Sequence, residues 1–227
     1  MDSIGAHVTV GMISMNEEGA VARVIQKIQA VIPGAEIVIV DSSHDQTPVI
    51  ASRLGARVIR QFPPQGYGVA MMTLLQASTR EVVITLDCDD TYPTEIIPEL
   101  AAFVLNNTYD LVDASRLKRK PSAMPWINYL ANVFFASIAS LLFWRKLTDL
   151  HSGMRAYRKS MIDALHFQAK GDALPVELLL KPMTHGYRVH VVFIDYVERI
   201  GNSKMRPLRS AFWTLKRMIT VRLGVYL

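Results

Sequence analysis

Short runs of β-branched residues alternate with helical segments over residues 8–115, and this alternation strongly limits the folds open to the chain. Strands are predicted at 8–14, 37–40, 57–59, 82–86 and 111–114, and helices at 17–31, 47–54, 66–77 and 94–105. Thr94 is the predicted N-cap of the last helix. Strands that alternate with helices favour an α/β fold whose mostly parallel, Rossmann-like sheet carries helices on both faces.

The second half of the chain is less regular. Helices are predicted at 126–143, 159–165, 175–185 and 206–223, and strands at 154–157 and 189–196. The sequence contains neither an internal repeat nor a linker, and 227 residues suit one α/β domain. We therefore expect a single domain over 1–227.

Acidic residues follow the predicted strands where those strands end. Glu17 follows the first strand, Asp41 ends the second, and Asp87 and Asp89 follow the strand at 82–86. Open α/β sheets bind ligands outside the carboxyl ends of their strands. Neighbouring carboxylates repel each other, and a hard cation such as Mg²⁺ relieves that repulsion while also binding phosphate oxygens. The alternative is an ordinary solvated turn, since Asp and Thr are common turn residues.

The charge of the chain is basic and unevenly distributed. The net charge is +5 and the pI about 9.4, which favours anionic partners. Beyond Glu198 the sequence contains basic residues and no acid: Arg199, Lys204, Arg206, Arg209, Lys216, Arg217 and Arg222. Basic and aromatic residues mix too sparsely to indicate nucleic-acid binding. The single cysteine excludes an internal disulfide, and the N-terminus does not resemble a signal peptide.

The predicted helix at 126–143 carries polar or small residues four apart, at Asn128, Asn132, Ala136 and Ser140, in otherwise apolar sequence. A bilayer span needs about 20 apolar residues, so we do not predict a transmembrane helix. The helix either belongs to the core or lies on a membrane and guides a lipid acceptor. The terminal helix combines Trp213, Leu215 and Ile219 with basic residues, which suits an anionic membrane surface.

Six segments, in order along nearly the whole chain, resemble the motifs of glycosyltransferase family 2. They are 16–18 (NEE), 40–47 (VDSSHDQT), 65–68 (QGYG), 87–89 (DCD), 148–157 (TDLHSGMRAY) and 199–204 (RIGNSK). The branch that they resemble most is that of the dolichyl- or polyprenyl-phosphate mannosyl- and glucosyltransferases.

The resemblance implies a GT-A fold and a metal-dependent, inverting hexosyltransferase. The donor would be a nucleotide-sugar, GDP-mannose or a UDP-hexose, and the acceptor a polyprenyl or dolichyl phosphate. Mg²⁺ or Mn²⁺ would be the cofactor. Residues 1–115 would form the nucleotide-sugar half and 116–227 the acceptor half. The enzyme would lie peripherally on the cytoplasmic face of the membrane, with its C-terminal amphipathic helix against the lipid.

The resemblance also implies the site residues. The nucleotide-sugar would contact Ile13, Met15, Glu17, Val40, Asp41, Gln65, Asp87, Cys88 and Asp89. The metal ligands would be Asp87, Asp89 and Thr91. The acceptor would meet Arg116, Asn128, Asn132 and Ser152. Catalysis would depend on Asp89, Arg116, Arg199 and Lys204, with the last two closing over the diphosphate. His44 and His151 are interpreted as turn or supporting residues.

Departures from the family pattern leave two alternatives open. Asn128 stands near a position where the branch often has an Arg, which favours a sugar or glycan hydroxyl as acceptor. A hydroxyl needs a general base, for which Asp149 or Asp89 is the candidate. A phosphomonoester needs little such help, because its second pKa is near 6. Substitutions at Ile13, Gln65 and Thr91 instead suggest a non-catalytic module that binds a membrane surface.

Overall fold

The computed structural model describes residues 3–171, 173–197 and 207–225. Within these ranges seven strands form one sheet in the order β3-β2-β1-β4-β6-β5-β7. The strands are β1 Val8–Ser14, β2 Glu36–Asp41, β3 Arg57–Arg60, β4 Val82–Thr85, β5 Leu111–Ser115, β6 Arg155–Arg158 and β7 Val189–Phe193. Strand β6 runs antiparallel to β4 and β5, and the other pairs are parallel. The predicted mostly parallel α/β sheet is confirmed.

Helices cover both faces of the sheet. They are α1 Val21–Val31, α2 Thr47–Arg53, α3 Tyr67–Ala77, α4 Ile97–Leu105, α5 Trp126–Phe143, α6 Lys159–Ala164, α7 Leu174–Thr184 and α8 Pro207–Leu223, with 3₁₀ turns at Ile4–His7 and Thr94–Ile96. The predicted C-terminal helix is therefore present as α8.

Several predicted boundaries differ from the structure, most of them by one residue, and one predicted cap is wrong. Helix α1 begins at Val21 because the Glu17 carbonyl accepts hydrogen bonds from the N–H groups of Ala20 and Val21 and so closes a turn first. Strand β7 ends at Phe193, three residues before the predicted end. Thr94 was wrongly predicted as a cap, because its buried hydroxyl forms no hydrogen bond with any described residue.

The central strands are buried on both faces. In β2, Ile37 and Ile39 belong to a core that includes α1 and α4, whereas Val38 and Val40 belong to a second core that includes α3 and α7. This follows from the two-residue period of a strand. A strand covered on both faces reads as a continuous apolar run, which explains the signal in the sequence.

The antiparallel direction of β6 determines what meets at the carboxyl edge of the sheet. Because β6 lies between β4 and β5, it begins at the edge where those two strands end. Arg155, the first residue of β6, is in register with Thr85 at the end of β4. The segments that follow β4 and β5 and the segment that precedes β6 therefore lie side by side.

Two buried ion-pair groups fix the second half of the fold. Arg155 donates from Nε to Asp113 Oδ1 at 2.5 Å, and both side chains are 1% exposed. On α7, Glu177 pairs with Arg217 of α8 and with Lys181 one turn away. Arg217 is buried, so this basic residue of the terminal helix does not belong to an exposed membrane-binding surface.

Candidate active site

Hydrogen bonds join the loops that follow β1 and β2. The Asn16 N–H donates to Ser43 Oγ at 2.8 Å, and the His44 N–H donates to Asn16 Oδ1 at 2.9 Å. The Glu17 N–H donates to Thr47 Oγ1 at 2.9 Å. Asn16 has a φ of 57°, a conformation that Asn tolerates better than most residues. The two loops therefore form one preorganised surface at the carboxyl edge of the sheet.

Asp41 lies at the end of β2 and is completely buried. Its carboxylate accepts hydrogen bonds from Ser14 Oγ at 2.6 Å and Ser43 Oγ at 2.5 Å, and it pairs with Arg60. These partners fix its orientation and compensate its burial. Val40 is also completely buried in the core, so only its backbone is positioned to contact a nucleotide.

The other residues predicted to bind the nucleotide lie around these loops. Ile13, the penultimate residue of β1, and Met15, which follows the strand, are partly exposed, and Glu17 is 9% exposed. Gln65 is exposed just before Gly66, whose φ of 97° precedes α3. Their contacts with a donor remain predictions.

The acidic pair follows β4. Asp89 Oδ1 accepts hydrogen bonds from Thr91 Oγ1 at 2.7 Å and from the Thr91 N–H at 3.3 Å, the arrangement of an Asx turn. The Asp87 carboxylate lies against Gly153, where an added Cβ would be 2.8 Å from Oδ1. Asp90 instead pairs with Lys27 at 2.7 Å on α1. Burial raises the pKa of the Cys88 thiol, which therefore stays protonated and is no nucleophile.

The chemistry of this segment suits a hard divalent cation. Mg²⁺ commonly takes one or two carboxylates and completes its shell with phosphate oxygens and water. Over the described ranges, no three His, Cys, Asp or Glu side chains come together as a metal site. Thr91 as a third ligand remains a prediction; in the structure its hydroxyl orients Asp89.

A buried bidentate pair follows β5. Arg116 donates from Nε to Asp149 Oδ2 at 2.7 Å and from Nη2 to Asp149 Oδ1 at 3.0 Å. Burial alone would raise the pKa of Asp149, but the Arg116 guanidinium and the His151 N–H hold that pKa at about 2. The pair uses two of the five guanidinium N–H donors of Arg116. The Arg116 guanidinium carbon lies 5.2 Å from the ring centroid of Tyr196.

His151 connects this pair to two helices. Its Nδ1 lies 3.1 Å from Asn132 Oδ1 on α5, and its Nε2 lies 2.9 Å from Thr214 Oγ1 on α8. Burial lowers the pKa of His151 to about 4, although Asp149 acts in the opposite direction. The imidazole is therefore neutral at physiological pH.

The remaining predicted site residues are Ser152, Asn128, Arg199 and Lys204. Ser152 is buried, and its hydroxyl donates to the Ala114 carbonyl at 2.6 Å, so it holds the start of β6 against β5. Asn128 is partly exposed near the start of α5, and its carbonyl accepts from Asn132 Nδ2 at 2.9 Å. Arg199 and Lys204 lie outside the described residues. The roles of Ser152 and Asn128 toward an acceptor remain predictions.

Sequence reasoning missed two residues that support the acidic pair. Gly153 leaves the space that the Asp87 carboxylate occupies, and the Gly153 N–H donates to the Tyr92 hydroxyl at 2.8 Å. Both residues lie within or next to matched motifs, but only their spatial neighbours reveal what they do. His151 was identified as a supporting residue, and the structure adds the partners that it supports.

Helices α5 and α8 contact each other, and each exposes large apolar side chains, which are here called the α5–α8 face. Its residues are Trp126, Ile127, Leu130, Val133, Phe134 and Leu141 of α5, and Phe212, Leu215, Ile219 and Leu223 of α8. The polar or small stripe of α5 points inward, since Asn132 and Ser140 form hydrogen bonds with the loop at 147–151. Helix α5 thus departs from the usual amphipathic pattern, and the buried side of α8 includes Thr214, Arg217 and Thr220 as well as Met218 and Val221. The core-helix interpretation of α5 holds for one side only: Phe135 and Ala139 belong to the second core, but only 17% of the helix is buried.

The length and composition of α5 also bear on the membrane. It has 18 residues with a mean hydropathy of 1.5, which is long and apolar enough to cross a bilayer. The sequence had indicated a run too short for a span. Its inward polar contacts, however, bind it to the domain.

Comparison with known proteins agrees with this geometry. The pattern of the family described as Glycosyl transferase family 2 matches residues 9–165. A Dolichyl-phosphate hexose transferase of Haloferax volcanii is 40% identical over 213 residues, covering 93% of this chain and 92% of the relative. An Undecaprenyl-phosphate 4-deoxy-4-formamido-L-arabinose transferase of Pseudomonas savastanoi pv. phaseolicola is 30% identical over 77% of this chain and 52% of the relative.

A solved structure shows the same fold. Glucosyl-3-phosphoglycerate synthase of Mycobacterium tuberculosis, crystallised with Mn²⁺, UDP and glucosyl-3-phosphoglycerate, superposes with a TM-score of 0.76 over 99% of this chain and 84% of that one, at 19% identity. This likeness confirms the predicted GT-A fold. The family match and the 40% identical relative together show that the chain belongs to glycosyl transferase family 2 and is a glycosyltransferase.

Proposed function

We propose that this enzyme transfers a hexose from a nucleotide-sugar to the phosphate of a polyprenol or dolichol at a membrane surface. One observation carries the proposal: hydrogen bonds through His151 connect the Arg116–Asp149 pair to both helices of the α5–α8 face. The guanidinium N–H donors of Arg116 that do not bond to Asp149 suit a phosphate, and the apolar face suits the lipid attached to it. The two relatives named for lipid-phosphate acceptors support the same assignment.

A phosphate acceptor also agrees with the acid–base chemistry of the site. With a pKa of about 2 and a bidentate bond to Arg116, Asp149 is a poor proton acceptor. A phosphomonoester is mostly dianionic at neutral pH and needs little help from a general base. A hydroxyl acceptor would need one, and Asp89 would then be its candidate. The pairing of Asp149 with Arg116 therefore favours the phosphate over a hydroxyl acceptor that would use Asp149 as its base.

The mechanism that we propose is a single displacement with inversion. Asp87 and Asp89 would hold Mg²⁺ or Mn²⁺, which when bound would neutralise the charge that grows on the departing diphosphate. Thr91 fixes the carboxylate of Asp89, and Gly153 leaves room for that of Asp87. Arg116 would orient the acceptor phosphate for attack on the sugar. Residues 1–115 would thus handle the donor and residues 116–227 the acceptor.

We further propose that the enzyme docks peripherally on the cytoplasmic face of the membrane through the α5–α8 face. Basic residues flank α5 at both ends, with Lys118 and Arg119 before it and Arg145 and Lys146 after it, and all four are exposed. Lys120 Nζ lies 5.0 Å from the ring centroid of Trp126, the first residue of α5. Exposed apolar residues bordered by cations are the features by which peripheral helices bind anionic bilayers.

The test is a transfer assay with purified protein. GDP-mannose and several UDP-hexoses would be offered with polyprenyl phosphate in vesicles, with Mg²⁺, with Mn²⁺ and with EDTA. We expect metal-dependent formation of lipid-linked hexose from one donor. Asp89→Asn should reduce the rate by roughly 100-fold or more, since it weakens the stabilisation of the leaving group.

Asp90→Asn is the matched control for Asp89→Asn. Asp90 follows Asp89 directly, but its carboxylate pairs with Lys27, whereas the Asp89 carboxylate accepts a hydrogen bond from Thr91. The activity of Asp90→Asn should stay close to that of the wild type. Absence of lipid-linked product with every donor and metal would contradict the proposal. Transfer to a free sugar in the absence of lipid phosphate would favour the hydroxyl alternative.

A further inference from the structure

His151 is the point at which three separate parts of the chain meet. Its backbone N–H donates to Asp149 Oδ1 at 3.0 Å, within the loop that precedes β6. Its ring nitrogens contact Asn132 of α5 and Thr214 of α8, which lie 19 and 63 residues away in the sequence. The two helices that carry the α5–α8 face therefore share one buried imidazole.

The hydrogen-bond partners fix the tautomer of this imidazole. Asn132 Nδ2 donates to the Asn128 carbonyl at 2.9 Å, so Asn132 Oδ1 faces His151 as an acceptor. Nδ1 of His151 must then carry the proton, and Nε2 must accept from the Thr214 hydroxyl. Both ring nitrogens are thereby satisfied. Loss of either partner would leave a buried polar nitrogen without compensation.

We propose that His151 is a positioning residue that ties the Arg116–Asp149 pair to α5 and α8, so that bilayer contact by the α5–α8 face sets the orientation of Arg116 toward the acceptor phosphate. This inference rests on the proposed function. The side chain of His151 contacts Asn132 and Thr214, so its proposed effect on the acceptor is indirect. It acts through Asp149, whose Oδ1 accepts both the His151 backbone N–H and Arg116 Nη2, while Oδ2 accepts Arg116 Nε.

A displacement of either helix can reach Arg116 through these hydrogen bonds because each one is short and its central residues are buried. Asp149 is completely buried and Thr214 is 1% exposed. Asp149 Oδ2 also accepts from the backbone N–H of Arg116 at 3.3 Å, which ties the end of β5 to the same group. A shift of α5 relative to α8 changes both ring contacts of His151. Such a coupling is demonstrated only when two sites are shown to depend on each other energetically.

Thr214→Val and Thr214→Ser form the matched pair that tests the coupling. Valine has the shape of threonine without its hydroxyl, whereas serine keeps the hydroxyl. Because Thr214 is buried, neither change alters the α5–α8 face, and flotation with anionic vesicles should stay as in the wild type. In vesicles, Thr214→Val should raise the KM for polyprenyl phosphate roughly two- to tenfold, the effect of one hydrogen bond. The KM for the donor should not change, and Thr214→Ser should behave like the wild type.

A double-mutant cycle with Arg116→Gln separates positioning from a general structural effect. If Thr214 acts through Arg116, Thr214→Val should produce no further rise of the acceptor KM once Arg116 is replaced. Should Thr214→Val fail to fold, His151→Gln replaces it in the cycle, since its amide reaches toward Thr214 and not Asn132. Additive effects, or equal changes in both KM values, would overturn the inference alone. Absence of any transfer by the wild type would overturn the proposed function and this inference with it.

Discussion

Gly153 offers the most direct test of how the acidic pair is arranged. Its φ lies outside the left-handed region, so Gly153→Ala brings no backbone strain. A Cβ at this position would lie 2.8 Å from Asp87 Oδ1 and 3.0 Å from both Cγ and Oδ2. All three nearest atoms belong to one carboxylate. The substitution therefore displaces the Asp87 side chain and leaves the sheet in place.

The displacement can be estimated from the contact distances. Moving Oδ1 from 2.8 Å to the 3.4 Å at which ordinary contacts begin requires a shift of about 0.6 Å. Mg²⁺ demands near-ideal geometry with bonds of about 2.0–2.1 Å, so it tolerates such a shift poorly. Since a 1 Å misplacement in an active site costs about 100-fold, Gly153→Ala should lower kcat/KM roughly ten- to thirtyfold.

The assay combines calorimetric titration of GDP or UDP with and without Mn²⁺ and thermal unfolding of the unliganded protein. We expect weaker metal-dependent nucleotide binding with a Tm within about 2 °C of the wild type. Gly68→Ala is the contrasting variant, because its Cβ would lie 1.9 Å from the backbone carbonyl oxygen of Ala169 and should lower the Tm instead. Unchanged metal-dependent affinity in a folded Gly153→Ala protein would refute the assigned arrangement of Asp87.

Three further predictions follow from burial and charge. Leu215→Glu, in the α5–α8 face, should abolish flotation with anionic vesicles, whereas Val49→Glu should not, although the two side chains are 39% and 40% exposed. Arg217→Met leaves the Glu177 carboxylate buried and should cost about 3–5 kcal/mol in urea unfolding, part of which Glu177→Gln should restore. Burial lowers the pKa of His151 from 6.5 to about 4. As the pH falls, the imidazole is therefore protonated in the unfolded chain at a higher pH than in the folded protein. The wild type should therefore lose up to about 3 kcal/mol of stability between pH 6.5 and 4, and His151→Gln should lack this loss in urea unfolding at the two pH values.

The strands could be predicted from the sequence because most of them are covered on both faces. Such a strand appears in the sequence as a run of β-branched residues, as in β2. In the helices between the strands, apolar residues recur at helical spacing. The direction of β6 could not be predicted. It has four residues, Arg155–Arg158, and nothing in so short a segment distinguishes parallel from antiparallel pairing. Its partners β4 and β5 decide the direction in three dimensions.

In the site, motif spacing located Asp41, Asp87 and Asp89 at the carboxyl edge, because strand ends fix where the following residues lie. Contacts between side chains that are distant in the sequence could not be predicted in this way. Arg217 belongs to a basic helix without acids, and that composition suggested an exposed side chain. The side chain is buried because it pairs with Glu177, which lies 40 residues away in the sequence. The ring of His151 likewise depends on Thr214, 63 residues further along.

The position of β6 between β4 and β5 has a consequence for the spacing of the segments that carry Asp87 and Arg116. Neighbouring strands lie about 4.8 Å apart, so the ends of β4 and β5 are separated by about 10 Å. Backbone hydrogen bonds set this separation, and side chains or loops do not. The sheet thus fixes the spacing between the segment that follows β4 and the segment that follows β5. Sequence changes in those two segments can alter their side chains without altering the distance between the strand ends that carry them.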